Sequence, residues 1–220
     1  MKFAVLGTGM VGQAIAGRLD ELGHQVSLGT RDPEATRART AEGEPGAFLR
    51  DHAGVTAATF AEAAEGAEVV VFAGNGAAAL EILGAAGAGN LDGKVLVDVS
   101  NPLDFSGGFP PRLFVKDDDS LAEQIQRAFP GARVVKTLNT MNASLMVHPD
   151  RLPEGTTVLV SGDDPEAKST VTDLLTSFGH TDVLDLGDLS TARGAEMYVA
   201  FWVRAMGALG TAEFNLKVVR

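Results

Sequence analysis

Phe3-Ala4-Val5-Leu6-Gly7-Thr8-Gly9-Met10-Val11-Gly12 decides how this chain is read. A short apolar run passes straight into Gly-x-Gly-x-x-Gly, and a helical pattern follows at once. The glycine spacing alone is weak evidence; between a strand and a helix it marks a dinucleotide-binding turn. Gly7 permits the tight exit from the strand, Gly9 lets a pyrophosphate approach bare backbone, and Gly12 lets the helix pack on the strand. The helix then aims its free N–H groups and positive dipole end at the phosphates. Val11, Ala14, Ile15, Leu19 and Leu22 recur on one face of that helix. Gly23 stops it, His24 is read as a solvated turn residue, and Gln25 to Gly29 make the second strand.

The tip of the second strand selects the cofactor. A unit built for NAD places Asp or Glu there to bond the ribose hydroxyls. Here the tip reads Gly29-Thr30-Arg31. A hydroxyl beside a guanidinium suits a 2′-phosphate, whereas a carboxylate would repel it. Thr30 and Arg31 therefore point to NADP(H). Asp32 is an acid one position later, and it reads as the N-cap of the next helix, with Pro33 and Glu34 behind it. Arg37 and Arg39 add positive charge further along.

Composition narrows the class. The chain has 220 residues, of which 45% are hydrophobic, enough for one large core. A net charge of −11 argues against nucleic acid and anionic membranes as partners, and requires any anion site to be locally positive. The absence of cysteine excludes disulfides, thiolate metal sites and a Cys nucleophile. No apolar run is long enough for a membrane span. A strand beginning at Lys2 leaves no room for a signal peptide, so a cytoplasmic protein is expected.

Further strands are expected at 54–57, 68–73, 94–99, 132–137, 157–162 and 183–186, alternating with helices. The fold class is therefore α/β: a Rossmann-type, doubly wound, mostly parallel sheet of about eight strands with a helical C-terminal extension. Residues 1–145 form the dinucleotide-binding core, and 146–220 form a small extension on the same sheet. Ala73-Gly74-Asn75 and Asn101-Pro102 both end strands at the carboxyl edge, where cofactors lie in such sheets. Two readings stand for residues 104–116, which carry Phe105, Phe109 and Phe114: a lid, or a passive crossover with its phenylalanines packed inward. Asp117-Asp118-Asp119 precedes Ser120-x-x-Glu123, a capping box, and is assigned to a helix N-terminus; no metal site is expected. Leu121, Ile125, Ala128 and Phe129 form that helix's buried stripe. The last helix is expected from Thr191 to Phe214, capped by Ser190 and apolar all round between Met197 and Val203. Such a helix must be covered, by the sheet or by a second copy of the chain.

Several motifs then combine. Gly7-Thr8-Gly9, Leu22-Gly23-His24, Gly29-Thr30-Arg31, Asn101-Pro102 and Lys136-Thr137-Leu138-Asn139-Thr140 are followed by Ser161-Gly162-Asp163-Asp164, Leu186-Gly187-Asp188-Leu189, Ala192-Arg193 and Glu196. Together they resemble the coenzyme-deazaflavin-dependent NADP reductase family, over nearly the whole chain. The NADP-binding domain of the metalloreductases of that superfamily is similar as well. The resemblance implies a homodimer in which hydride passes between NADP(H) and a deazaflavin coenzyme (F-420). It places Thr8, Met10 and Val11 in the phosphate turn and Thr30 and Arg31 on the 2′-phosphate. Ala73, Gly74 and Asn75 then lie near the nicotinamide, and Asn139 and Thr140 border the site of hydride transfer. This chain departs from the archaeal pattern at Asp32, Ala35, Gly74-Asn75-Gly76 and Asn139.

Hydride transfer between stacked rings asks the protein for alignment and exclusion of water rather than for acid–base chemistry. His24, His52, His148 and His180 are scattered, and none is a compelling proton donor. Asn139, Thr140 and Asn101 are the residues expected to touch the rings. Two rival readings keep the NADPH site. In one, the acceptor is a flavin, a quinone or an iron chelate; in the other, the protein is a non-enzymatic redox sensor.

Overall fold

Strands separated by helices cannot pair as hairpins, so crossovers join them and neighbours run parallel. A computed structural model describes residues 1–220. Its strands are β1 (Lys2–Leu6), β2 (Gln25–Thr30), β3 (Val55–Thr59), β4 (Val69–Phe72), β5 (Val95–Asp98), β6 (Leu103–Asp104), β7 (Arg112–Leu113), β8 (Arg133–Thr137), β9 (Thr157–Gly162) and β10 (Asp182–Gly187). The first five helices are α1 (Met10–Glu21), α2 (Pro33–Ala38), α3 (Pro45–Asp51), α4 (Phe60–Gly66) and α5 (Ala79–Ala86). They are followed by α6 (Ala88–Leu91), α7 (Leu121–Ala128), α8 (Ala143–Val147), α9 (Pro165–Phe178) and α10 (Ala192–Leu209).

Eight strands form one sheet in the order β3-β2-β1-β4-β5-β8-β9-β10, as the α/β reading required. The order reverses between β1 and β4, and a ligand crevice opens at such a reversal, beyond the carboxyl ends of the strands. Within this sheet only the β8–β9 pairing is antiparallel, so β9 and β10 run against the rest.

The pleat divides the core. Phe3 and Val5 pack with Ile15 and Leu19 of α1, Leu145 of α8, and Val171, Leu175 and Phe178 of α9. Ala4 and Leu6 face the other way, toward Ala64 of α4, Leu83 of α5, and Leu121 and Ile125 of α7. Each fully buried Leu, Ile or Phe contributes about 1.5–3 kcal/mol. No helix is long and apolar enough to cross a membrane.

The reading of Asp32 as a cap holds. The Asp32 carboxylate accepts from the N–H groups of Glu34 (3.0 Å) and Ala35 (2.9 Å), capping α2. The structure adds a second cap of this kind: Asp164 caps α9, and Gly179 ends that helix in the left-handed region at φ +106°.

Other readings are corrected. α10 starts at Ala192 after a 3-10 turn, and the Asp188 carboxylate, not Ser190, caps that turn by accepting from Ser190 N–H. Gly210 ends the helix at φ +67°, so Phe214 lies beyond it and stacks on Trp202, ring centroids 5.3 Å apart. At α7, Ser120 Oγ accepts from Glu123 N–H (3.1 Å), but the Glu123 carboxylate accepts from Arg193 Nη2 and Nε (2.6 and 2.9 Å) and from the Ser120 hydroxyl (2.8 Å) instead of from the Ser120 backbone N–H that would close the box. Ala128 is exposed, and Ala122 takes its place in the buried stripe. Residues 104–116 carry the antiparallel ribbon β6–β7, and Phe105, Phe109 and Phe114 are 59%, 66% and 45% exposed. The inward-packed reading of those phenylalanines therefore falls. Neither α6 nor α8 was legible from periodicity, since four or five residues span little more than one turn.

Candidate active site

The turn after β1 is built by steric exclusion. Gly7 sits at φ +129°, and a Cβ at Gly12 would lie 2.0 Å from the Gly7 carbonyl oxygen. A Cβ at Gly9 would meet nothing within 4 Å, so that side of the turn opens outward. α1 begins there with no side chain capping it and no acid in its first turn. Helices α2, α4, α7, α8 and α9 are instead capped by Asp32, Thr59, Ser120, Asn142 and Asp164. α3, α5, α6 and α10 also lack a side-chain cap, but α1 alone follows the glycine turn at the sheet's reversal point, which leaves its free N–H groups open to an anion.

A cleft of about 560 Å³ lies in front of them. Gly9, Met10 and Val11 form one wall, and Ala73, Gly74, Asn75 and Gly76 come from the end of β4. Val99, Ser100 and Asn101 follow β5, while Met141, Asn142, Ala143 and Met146 follow β8. Leu103 and Phe105 enter from the ribbon, and Trp202 and Ala212 from the C-terminal segment. The volume suits a small-molecule site. No ionisable side chain lines it. The arrangement can align two planar groups in an open, largely apolar cleft whose walls offer no general acid or base.

The residues expected at the rings are divided. Asn101 lines the cleft, but Asn139 and Thr140 are 3% and 1% exposed and lie behind its wall. Asn101 Nδ2 donates to the Asn139 carbonyl oxygen (2.9 Å), and Asn139 Nδ2 donates to Asn101 Oδ1 (3.0 Å) and to the Ala195 carbonyl oxygen (2.9 Å). Asn139 thus braces Asn101 against α10 and does not reach the cleft. Asn75 Oδ1 accepts from Ala77 N–H (3.0 Å), which fixes the loop after β4. Of the four histidines none lines the cleft; His180 is buried beneath α8, with Nε2 3.0 Å from the Met146 carbonyl oxygen.

Under the same wall lies a fully buried ion cluster. Lys136 Nζ meets Asp98 Oδ2 (2.9 Å), Glu196 Oε1 (3.0 Å) and the Ser100 carbonyl oxygen (2.6 Å). The Glu196 carboxylate also accepts from the N–H groups of Leu121 (2.8 Å) and Ala122 (3.1 Å), capping α7 from α10. Burial opposes the Lys136 charge, yet Asp98 and Glu196 outweigh it and hold its pKa above the ordinary lysine value. The cluster ties β5, β8, α7 and α10 together directly behind Ser100 and Asn101.

A second, smaller pocket of about 160 Å³ lies beside the β2 tip, lined by Thr30, Arg31, Thr59, Phe60, Ala61, Glu81, Ile82 and Ala85. Thr30 Oγ1 is bonded to Thr36 Oγ1 (2.8 Å), and Thr30 is nearly buried. The Arg31 side chain is 79% exposed, with Nη2 3.3 Å from Glu81 Oε1. Sequence reasoning missed Glu81, which stands fifty residues from its partner. It also missed Trp202, Met146 and Ala212; the lone tryptophan of the chain was the available signal.

The family model described as NADP oxidoreductase, coenzyme F420-dependent, matches residues 2–102. The F420-dependent NADP reductase of Methanothermobacter marburgensis is 34% identical over 200 residues, covering 89% of this chain and 88% of that protein. Metalloreductase STEAP3 of Rattus norvegicus is 33% identical over 195 residues; the match takes in 89% of this chain but spans only 36% of the length of that relative. A solved structure from Arthrobacter sp. FB24, which carries the provisional name F420-dependent NADP-reductase, superimposes with a TM-score of 0.97 at 58% identity over the full length of both chains. An uncapped helix behind a glycine turn, a cation at the β2 tip and this full-length likeness agree: the chain belongs to the F420-dependent NADP reductase family of NADP-linked oxidoreductases.

Proposed function

We propose that the chain passes hydride between NADP(H) and a deazaflavin coenzyme of the F420 type. In this reading Gly7, Thr8, Gly9, Met10, Val11 and Gly12 hold the diphosphate, and Thr30 and Arg31 face the 2′-phosphate. Ala73, Gly74 and Asn75 lie against the nicotinamide. Residues 146–220 act as an extension that supplies Trp202 and Ala212 to the acceptor side. Asn101 touches the rings, while Asn139 and Thr140 serve as positioning residues behind it. The bound dinucleotide supplies the hydride, and the protein contributes alignment and exclusion of water.

The observation that carries this reading is a cleft with no titratable side chain, set at the end of an uncapped helix. Hydride transfer needs no proton donor from the walls, whereas acid–base or nucleophilic chemistry would need one. Purified protein mixed with NADPH and oxidised deazaflavin should bleach the deazaflavin absorbance. Absence of turnover in both directions removes the proposal. The likeness to a metalloreductase favours a second reading, NADPH with a flavin or an iron chelate as acceptor. Turnover on those acceptors alone would select it.

Exposed Phe201 and Met197 on α10 (62% and 37%) support a homodimer built on that helix, as a surface of this kind is commonly covered by a second copy. Sedimentation at micromolar concentration is expected to give twice the chain mass of 22.8 kDa. A monomer mass removes this proposal.

A further inference from the structure

We infer that Glu81 sets cofactor selectivity in opposition to Arg31, weakening the grip on any dinucleotide that carries a 2′-phosphate. The inference rests on the NADP reading above. The pocket beside the β2 tip has two charged residues in its lining, Arg31 and Glu81, and they face each other at 3.3 Å. The acid adjacent in sequence, Asp32, is turned away to cap α2. Arg37, the next cation, donates to the Ala57 carbonyl oxygen (2.7 Å). One guanidinium is therefore shared between one carboxylate and an incoming phosphate.

The contest has a clear winner. The ion pair is exposed on both sides, 79% and 71%, and such pairs are weak. A phosphate offers more charge and the acceptor oxygens that an arginine fork fits, so it displaces the carboxylate. Glu81 nonetheless stays on α5 near the 2′-position, well inside a screening length of about 8 Å. Two like charges then share one cation. NADH carries no 2′-phosphate, and a carboxylate in this pocket resembles the ribose-binding acid that the β2 tip lacks. Glu81 thus favours NADH at the position where Arg31 favours NADPH.

The test is titration of Glu81→Gln with NADPH and NADH, followed through the fluorescence of Trp202, the single tryptophan, which lines the cleft. Glutamine keeps the shape and removes the charge. The NADPH dissociation constant is expected to fall about threefold to tenfold, with NADH unchanged or weaker. The gain should shrink at 0.5 M salt and should persist in the double variant with Arg31→Ala, because the two anions repel whether or not the guanidinium is present. A change below twofold, or equal changes for the two cofactors, overturns the role of Glu81. If Arg31→Ala still weakens NADPH while Glu81→Gln is silent, only this inference falls. If Arg31→Ala is silent too and the unsubstituted protein does not prefer NADPH, the NADP reading falls with it.

Discussion

Lys136→Met is expected to cost the fold about 3–5 kcal/mol, the usual effect of breaking a buried ion cluster by removing one member. The side chain is fully buried, and its ammonium is the only cation between Asp98 and Glu196. Its loss leaves two carboxylates facing each other with no water to screen them, and it frees the Ser100 carbonyl oxygen. For a chain of this length the unfolding midpoint should drop by roughly 6–20 °C. The triple variant Lys136→Met, Asp98→Asn, Glu196→Gln should recover more than half of that drop. With all three charges gone no buried charge is left unpaired, and the glutamine oxygen still accepts from one of the two α7 N–H groups that Glu196 holds. Thermal unfolding of both variants decides the matter. A loss below about 1 kcal/mol in the single variant would mean that the cluster is not ionised as described.

The cluster also shows why part of the site was hidden in the sequence. Lys136 sits inside an ordinary strand pattern, Arg133-Val134-Val135-Lys136-Thr137, and a lysine there reads as solvated. Only the sheet order places it over Asp98 of the neighbouring strand, and only α10 brings Glu196 across to it. Nothing local marks Glu196 as the cap of a helix seventy-five residues away. The pairing of Glu81 with Arg31 was opaque for the same reason. The features that could be read were local ones: the apolar runs of the strands, the glycines of the first turn, and Asp32 followed by Pro33. Each rests on steric or hydrogen-bonding rules acting within a few residues. Ser190 looks like a cap, but Asp188 wins the nearby N–H because its carboxylate is the stronger acceptor. Asn139 ends its strand under the α10 backbone, whose Ala195 carbonyl oxygen accepts from it, a long-range contact that nothing local announces.

Arg31→Ala should weaken NADPH by about 1.5–3 kcal/mol, the worth of a charge-assisted bond, which is roughly ten- to hundredfold in the dissociation constant. NADH should change less than about twofold, since it presents no group that needs the fork. The structure sharpens this expectation in two ways. Thr30 Oγ1 is bonded to Thr36 Oγ1, so in the proposed reading Arg31 is expected to carry most of the recognition at the β2 tip. The side chain is also largely exposed and touches only Glu81, so removing it disturbs no packing, and any loss of affinity is a loss of recognition. Exposure makes the effect depend on salt: the larger figure belongs to low ionic strength and the smaller to physiological buffer. Arg31→Lys should fall between the two, keeping the charge without the two-pronged geometry. Titration of the three proteins with both cofactors measures all of this. Equal losses for NADPH and NADH would show that Arg31 shapes the turn and does not read the phosphate, because a purely structural role has no means of telling the two dinucleotides apart.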